Sequence, residues 1–165
     1  MSAATIDPAV TTLIYDEALK IDAKAWDEWL ALYTEDAVFW MPAWKSELET
    51  TNDPDIQLNL IYIKGRQGLA DRVFRLRSGE SFASVPLERT THVVGNVLIR
   101  AANDDAIEAV ANWIVHTYNS RGATTTRSGR YDYTIKRVES GLRIARKKIT
   151  MIDDRLEGPV DVYHV

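Results

Sequence analysis

Apolar side chains recur at helical spacing near the start of the chain. The pair Asp7-Pro8 is a typical helix start, because it combines a capping carboxylate with proline at the first helical position. The apolar positions that follow lie three or four residues apart: Leu13, Ile14, Ala18 and Ile21. This pattern predicts a first helix over roughly residues 8–21.

A second apolar face follows directly. Four large side chains have the spacing i, i+3, i+4 and i+7: Trp26, Trp29, Leu30 and Tyr33. They predict a second helix with Asp22 as its N-cap. The polar run Thr34-Glu35-Asp36 ends this pattern, and residues 37–41 are predicted to form a short strand that ends at Pro42.

A long polar loop is predicted from residue 43 to about 58, and long loops in compact domains are often functional or mobile. A third helix is predicted after Gly65 and Gly68, with Gly79 as the glycine that ends it. Its buried stripe consists of three aliphatic residues: Leu69, Val73 and Leu76. Three basic residues lie on its other side: Arg72, Arg75 and Arg77.

The second half of the chain is rich in Val, Ile, Thr, Tyr and Trp and predicts four long strands. They cover residues 90–101, 106–121, 127–138 and 142–152, and short turn segments separate them. Connections this short favour antiparallel hairpins. Helices followed by such a meander indicate the α+β class and a single domain over residues 1–165. The arrangement that buries both apolar faces is a curved, mostly antiparallel sheet around the helices, the NTF2-like or cystatin-like cone.

Composition excludes several kinds of chemistry. The chain has no cysteine, which excludes disulfides, zinc–thiolate sites, iron–sulfur ligation through cysteine and thiol catalysis. A net charge of −4 gives no general attraction to nucleic acid or to an anionic membrane. The first eight residues lack the basic and apolar regions of a signal peptide, and no apolar run approaches the ~20 residues that cross a bilayer. We therefore expect a cytoplasmic protein without nucleic-acid or membrane partners.

The candidate chemical groups are few. The three histidines, His92, His116 and His164, do not have the i, i+4 spacing of a helical metal pair, and we interpret them as hydrogen-bonded polar residues of the sheet. Convergence of His92 and His116 with a carboxylate stays geometrically possible. Asp36 is a candidate general base if burial raises its pKa, although a turn carboxylate is the favoured interpretation.

Two further clusters favour structural roles. The aromatic residues Trp26, Trp29, Phe39, Trp40 and Trp44 favour a core or an interface over an aromatic-binding pocket. Six basic residues form a predicted hairpin: Lys136, Arg137, Arg143, Arg146, Lys147 and Lys148. Without a nucleic-acid motif, this hairpin favours a solvated sheet face or a salt-bridging surface for a partner. The chain also has no phosphate-binding glycine motif and no Gly-x-Ser-x-Gly.

Three blocks of the sequence resemble the small (β) subunit of bacterial aromatic-ring-hydroxylating dioxygenases of the benzoate, toluate and anthranilate type. They are residues 26–42, residues 60–77 with residues 84–92 close behind, and the final segment Asp161-Val162-Tyr163-His164-Val165. The middle block is the most specific, and the first block alone would suit many NTF2-like proteins. The resemblance covers nearly the whole chain.

The resemblance implies an NTF2-like cone in an α3β3 assembly. It implies that the large α subunit carries a Rieske 2Fe-2S cluster and a mononuclear Fe(II), and that a reductase supplies electrons from NADH. The implied reaction adds both atoms of O2 to an aromatic ring and gives a cis-dihydrodiol. The absence of cysteine agrees, because Rieske ligation requires two Cys and two His.

We therefore expect a structural β subunit of an oxidoreductase that acts on an aromatic carboxylate such as benzoate. In this hypothesis the chain has no catalytic, cofactor-binding or metal-binding residue of its own. One alternative is a free-standing NTF2-like dehydratase or isomerase with Asp36 and His92 or His116 in its cone. Another is a non-catalytic small-ligand or scaffold protein of the same fold.

The predicted strand 106–121 also suggests an oligomer. One face carries Ile107, Ala109, Ala111, Trp113 and Val115, and the other carries Val110, Ile114, His116 and Tyr118. A sheet with one solvated face should alternate cleanly between apolar and polar residues, so both faces are expected to contact protein. The apolar tail, residues 160–165, is likewise expected to make protein contacts. A homotrimer would bury such surfaces in a closed assembly.

Overall fold

A computed structural model describes residues 5–165 of the chain. Residues 1–4, part of the segment expected to lack a signal peptide, lie outside the described residues. Within this range there are three α-helices: α1 Pro8–Asp22, α2 Trp26–Leu30 and α3 Gly65–Ser78. Six strands form one sheet: β1 Tyr33–Pro42, β2 Asn59–Lys64, β3 Arg89–Ala102, β4 Ala106–Tyr118, β5 Thr124–Val138 and β6 Gly141–Met151. Their order across the sheet is β2-β1-β6-β5-β4-β3.

The first and third helices are confirmed, except that α3 begins at Gly65 and includes Gly68, both of which were predicted to precede it. The Asp7 carboxylate accepts a hydrogen bond from the Ala9 backbone N–H at 2.8 Å, so α1 begins at the predicted cap. The helix buries the predicted apolar stripe and packs against β3 and β6. In α3, the buried stripe is Leu69, Val73 and Leu76, and Gly79 ends the helix at a φ of 70°, a left-handed conformation that favours glycine.

The second helix differs from its prediction. It has only five residues, and Ala25, not Asp22, occupies its N-cap position. Asp22 is instead the last residue of α1, and its carboxylate accepts hydrogen bonds from the backbone of His92 and the hydroxyl of Thr90. Tyr33 is the first residue of β1, because the strand extends through Thr34-Glu35-Asp36 as an irregular segment in its pairing with β6.

The four-stranded meander is confirmed, since β3, β4, β5 and β6 pair antiparallel in sequence order. The sequence did not predict β2, which pairs antiparallel with β1, or the parallel pairing of β1 with β6. The loop after β1 contains one isolated bridge, between Trp44 and Thr50. These pairings extend the sheet beyond the meander and close one side of the cone.

The core fills the space between the helices and the inner face of the curved sheet. It includes Trp29, Tyr33, Trp113, Tyr131 and Tyr133, all at most 1% exposed. The final segment turns back into the same core, where Val162, Tyr163 and Val165 are fully buried. The expected protein contacts of Val162, Tyr163 and Val165 are therefore made within their own chain. No helix of residues 5–165 is long and apolar enough to span a membrane.

Candidate functional site

An ion pair lies inside the cone, between α1 and β6. The Lys147 ammonium donates to both Glu17 carboxylate oxygens at 3.0 Å, and each side chain is only 2% exposed. The same carboxylate accepts hydrogen bonds from Trp29 Nε1 at 3.1 Å and from the Tyr33 hydroxyl at 2.8 Å. The Tyr133 hydroxyl donates a longer one at 3.4 Å. Both carboxylate oxygens therefore have donors from the protein itself.

Burial and charge act in opposite directions on this pair. Burial alone would raise the pKa of Glu17, but the Lys147 charge and the hydrogen bonds from Trp29, Lys147 and Tyr33 outweigh it and hold the pKa below its ordinary value. Burial also raises the pKa of the Tyr33 hydroxyl well above its ordinary value, so the hydroxyl stays protonated and donates to Glu17. Glu17 is thus an ionised, fully coordinated carboxylate, which lacks the raised pKa that a general acid requires.

Glu17 was not among the predicted functional residues, and the prediction that Lys147 lies in a solvated or partner-facing basic hairpin is wrong. The periodicity of α1 and of β6 nevertheless indicates that both side chains point into the core. Glu17 lies in the apolar stripe of α1, between Ile14 and Ile21. Lys147 alternates with the buried residues Ala145 and Ile149 on β6, so its side chain points to the inner face. One acid and one base at core positions of different elements predict a buried pair.

A second polar group joins the end of α1 to β3. The His92 Nδ1 lies 2.6 Å from one Asp22 carboxylate oxygen, and the His92 side chain is almost fully buried. Lys24 donates to the Thr90 hydroxyl at 2.9 Å, and burial lowers the pKa of Lys24 to about 8. His92 is therefore a hydrogen-bonded residue of the sheet, as the favoured interpretation predicted. Its hydrogen bonds to Asp22 link β3 to the end of α1.

A third polar group lies where the C-terminal segment meets the sheet. The His164 Nδ1 accepts from the Asp161 backbone N–H at 2.9 Å, so its ring proton is on Nε2, which donates to Glu88 at 3.1 Å. Burial, together with the nearby charge of Arg127, lowers the pKa of His164 to about 4. His164 is therefore a neutral donor that holds the tail in place.

Asp36 and His116 lie outside the cone. The Asp36 side chain is 69% exposed and pairs with Lys136 at 2.9 Å. Hydrogen bonds from the Thr34 hydroxyl and from Lys136 lower its pKa, the opposite of what a general base requires. His116 is exposed on the outer face of the sheet, beside Thr126. The structure therefore does not bring Asp36 together with His92 or His116, as the free-standing enzyme would require.

The side chains of this chain do not fit a metal centre. Among residues 5–165, no three His, Asp or Glu side chains are close enough together to hold a metal ion. The three histidines already have separate partners in Asp22, Thr126 and Glu88. A Rieske cluster requires two Cys ligands in addition, and the chain has none.

The aromatic cluster is core and near-core, as predicted. Trp26, Trp29, Phe39 and Trp40 are all buried. Trp40 lies under two residues of the basic hairpin, with the Arg146 guanidinium 5.2 Å and the Lys148 ammonium 4.7 Å from its ring centre. The basic residues on this side of β6 thus cover an aromatic ring of their own sheet.

The outer face of the sheet carries apolar groups in solvent. Val93, Ile114 and Tyr118 are exposed there, and Ile114 is 50% exposed. Beside them, a groove of about 520 Å³ runs between the loop after β1 and strands β4 to β6, with Leu48, Ile114 and Ile152 among its lining residues. The inner face of β4 is covered within the chain, as predicted, and the expected contact of its outer face with a partner stays a prediction.

Comparison with known proteins gives a consistent result. A family described as "Ring hydroxylating beta subunit" matches residues 16–157. The chain is 45% identical over 157 residues to the 2-halobenzoate 1,2-dioxygenase small subunit of Burkholderia cepacia, covering 94% of each chain. It is 37% identical to the crystal structure of the benzoate 1,2-dioxygenase beta subunit from Burkholderia mallei, with a TM-score of 0.79 and coverage of 98% of this chain and 99% of that one.

The fold also extends beyond these relatives. An NTF2-like protein with a cystatin-like fold from Novosphingobium aromaticivorans has a TM-score of 0.63 at 17% identity, and the match covers 91% of this chain and 84% of that one. At this identity the likeness concerns the fold alone. It confirms the predicted NTF2-like cone.

Proposed function

The chain belongs to the family of ring-hydroxylating beta subunits, and from this membership we propose that it is the structural subunit of a dioxygenase whose reaction takes place on a separate, larger subunit. The observation that carries the proposal is the closed interior of the cone. An enzyme that used this cone would need an acid or base with a free position for substrate. Here Glu17 and Lys147 pair with one another, and the Trp29 indole and the hydroxyls of Tyr33 and Tyr133 complete the donors to the carboxylate.

The cofactors belong to the partner in this proposal. The residues of this chain fit neither a Rieske cluster nor a mononuclear iron site, so we assign both to the large subunit, with NADH as the electron source through a reductase. In the assembled enzyme these centres supply the activation of O2 for cis-dihydroxylation of the ring. We propose that this chain contributes no catalytic, cofactor-binding or metal-binding residue, and that the assembly works in the cytoplasm.

The proposed substrate class is an aromatic carboxylate. It is supported by the relatives, which include small subunits named for 2-halobenzoate, toluate and benzoate dioxygenases. The proposed assembly is α3β3, with β subunits in contact around a threefold axis. Its support within the chain is the exposed apolar outer face of the sheet, which a closed assembly would cover.

Co-expression with the large subunit of a benzoate-type dioxygenase tests the subunit function. We expect size-exclusion chromatography and light scattering to show a stable complex with oxygenase activity, and the chain purified alone to contain no stoichiometric iron. Ile114→Lys should weaken assembly without unfolding the chain, because Ile114 is half exposed. Val138→Lys, at the end of the β5–β6 hairpin, is the matched control. A chain that remains a monomer and joins no large subunit contradicts the proposal.

The free-standing isomerase or dehydratase makes the opposite prediction for three side chains. Asp36→Asn, His92→Asn and His116→Gln should leave the turnover per assembled oxygenase largely unchanged, with any loss appearing as weaker assembly or lower stability. A collapse of kcat in a variant that still assembles normally would restore the catalytic alternative.

A further inference from the structure

Arg127 is a buried cation without a direct partner. It lies on β5 opposite Val115, on the inner face, and the residue is only 6% exposed. Within the described part of the chain, its guanidinium forms no ion pair within 4.0 Å and no hydrogen bond. Burial lowers its pKa, and Glu88, Asp153 and Glu157 offset this only as more distant charges. A mostly buried guanidinium without a directly paired carboxylate favours an anionic ligand in the open space beside it.

The carboxylate that acts most strongly on Arg127, that of Glu88, is hydrogen-bonded to other donors. One Glu88 oxygen accepts from Asn119 Nδ2 at 3.3 Å, and the other accepts from His164 Nε2 at 3.1 Å. The His164 ring is itself fixed, because its Nδ1 accepts from the Asp161 backbone. Glu88 is therefore held by two donors in an orientation that leaves the guanidinium of Arg127 free.

A cavity of about 290 Å³ opens beside this guanidinium. Its less exposed lining is polar and comprises Arg127, Asn119, Thr125, His164 and the hydrogen-bonded Glu88, and Arg121 is at its exposed side. Its rim is apolar, formed by three residues: Phe82, Val85 and Pro159. Phe82 is 96% exposed, although an aromatic ring gains from contact with another apolar group. The volume is at the lower end of ligand pockets, which suits a small ligand.

We propose that this cavity binds a small organic carboxylate. The carboxylate takes a bidentate hydrogen bond from Arg127, whose planar fork matches it, and the apolar part of the ligand packs against Phe82. A ligand that carries both a carboxylate and a ring can contact the polar and the apolar lining together, so an aryl carboxylate fits better than acetate. The inference does not depend on the proposed subunit function, because it rests on these side chains alone.

The Glu157 carboxylate can compete with a free carboxylate for Arg127. It is exposed, lines the same cavity and attracts Arg127 at long range. If a free carboxylate binds, Glu157 repels it, and Glu157→Gln should tighten binding. If the Glu157 side chain itself closes on Arg127 in solution, then external carboxylates are excluded from the wild-type chain, and the proposal fails.

Titration of the ¹⁵N-labelled full chain with benzoate tests the site. We expect a saturable shift of the Arg127 side-chain Nε–H resonance with benzoate, a weaker effect with acetate and none with benzamide, which has the same shape without the charge. Arg127→Gln should weaken benzoate binding about tenfold or more, as expected for a charge-assisted bidentate contact. Phe82→Ala should weaken benzoate about threefold or more while leaving acetate unchanged.

Arg137→Gln, which removes an exposed positive charge from the β5–β6 hairpin, is the matched control and should bind benzoate like the wild type. Phe82→Ala and Glu157→Gln change exposed residues, so they test the site even if Arg127→Gln fails to fold. Equal shifts with benzoate and benzamide, or no saturable shift of Arg127, would overturn the proposal. Unchanged affinity in both Phe82→Ala and Glu157→Gln would overturn it as well.

Discussion

Two acid–lysine pairs with nearly the same bond length lie in opposite environments of this molecule. Glu17 and Lys147 meet at 3.0 Å inside the cone, where each side chain is 2% exposed. Asp36 and Lys136 meet at 2.9 Å on the surface, where the side chains are 69% and 45% exposed. The length of the bond does not distinguish them. What differs is the access of water to each charge if its partner is removed.

This difference decides what each pair does. Solvent stabilises Asp36 or Lys136 alone, so the surface pair contributes little to folding. Inside the cone, loss of one partner leaves a charge that water cannot reach. The inner pair therefore makes the fold depend on both residues, and the outer pair is replaceable.

Lys147→Met should lower the free energy of unfolding by about 3–5 kcal/mol, because it leaves the Glu17 carboxylate buried without its cation. Urea denaturation measures the change, and Lys136→Met on the surface is the matched control, expected to cost less than about 1 kcal/mol. The double variant Glu17→Met/Lys147→Met should lose less than the sum of the two single variants, since no charge remains to be buried. Equal losses for Lys147→Met and Lys136→Met would contradict the contrast.

Tyr33→Phe removes one donor to the buried carboxylate and keeps the ring. We expect a loss of about 1.5–3 kcal/mol, as is usual for a hydrogen bond to a charged group. Tyr118→Phe, on the outer face, has the same chemical change and should be nearly neutral. A neutral Tyr33→Phe variant would show that the Glu17 carboxylate does not need this donor.

His164 should make stability depend on pH. Its pKa is lowered to about 4 in the folded protein, from an ordinary value of 6.5, so the unfolded chain takes up a proton first as the pH falls. The stability contribution is complete above pH 6.5 and is lost as the pH falls from 6.5 towards 4, with a size on the order of 2 kcal/mol.

His164→Asn should remove this part of the pH dependence, because asparagine does not titrate. The control His116→Asn changes a histidine exposed on the outer face and should retain the full slope. Urea midpoints measured at several pH values between 4 and 7 compare the two. Equal slopes in both variants would exclude His164 as the source.

Asp36→Asn is expected to have the smallest effect, about 0.5 kcal/mol or less, since only an exposed pair is lost. Added salt should reduce even this difference, because it screens surface charges. A loss comparable with that of Lys147→Met would mean that Asp36 is buried in solution, contrary to the structure.

The first and third helices and the meander were predictable because their signals are local. Pro8 and the stripe of α1 define a helix, and the β-branched runs between turn residues define β3 to β6. Trp26, Trp29 and Tyr33 misled the prediction, because over so few residues a helical spacing also fits a one-turn helix followed by a strand. The six residues of β2 follow a polar loop and give too short a pattern to assign.

The interior pair was not predicted because its signal is distributed over distant elements. Lys147 lies between Arg146 and Lys148, and three basic residues in a row resemble a solvated surface. Only the alternation of buried and more exposed residues along β6 distinguishes Lys147 from its two basic neighbours. The partners of Asp22 and Glu88 are likewise set by the packing of the helix and tail against the sheet, which no local pattern contains. The resemblance to the family identified the protein class without these details.

The position of Lys147 also has a consequence for biosynthesis. Lys147 is 130 residues from Glu17 along the chain. Similarly, β1 can pair with its parallel neighbour only after β6 has been synthesised. While the polypeptide is being made, α1 thus presents an unneutralised acid on its apolar stripe, and β1 exposes an unpaired edge until β6 has been synthesised. Chain entropy disfavours closure over such a span, so we expect the slow step of folding to follow translation. Unfinished chains are then the species most prone to aggregate during overproduction.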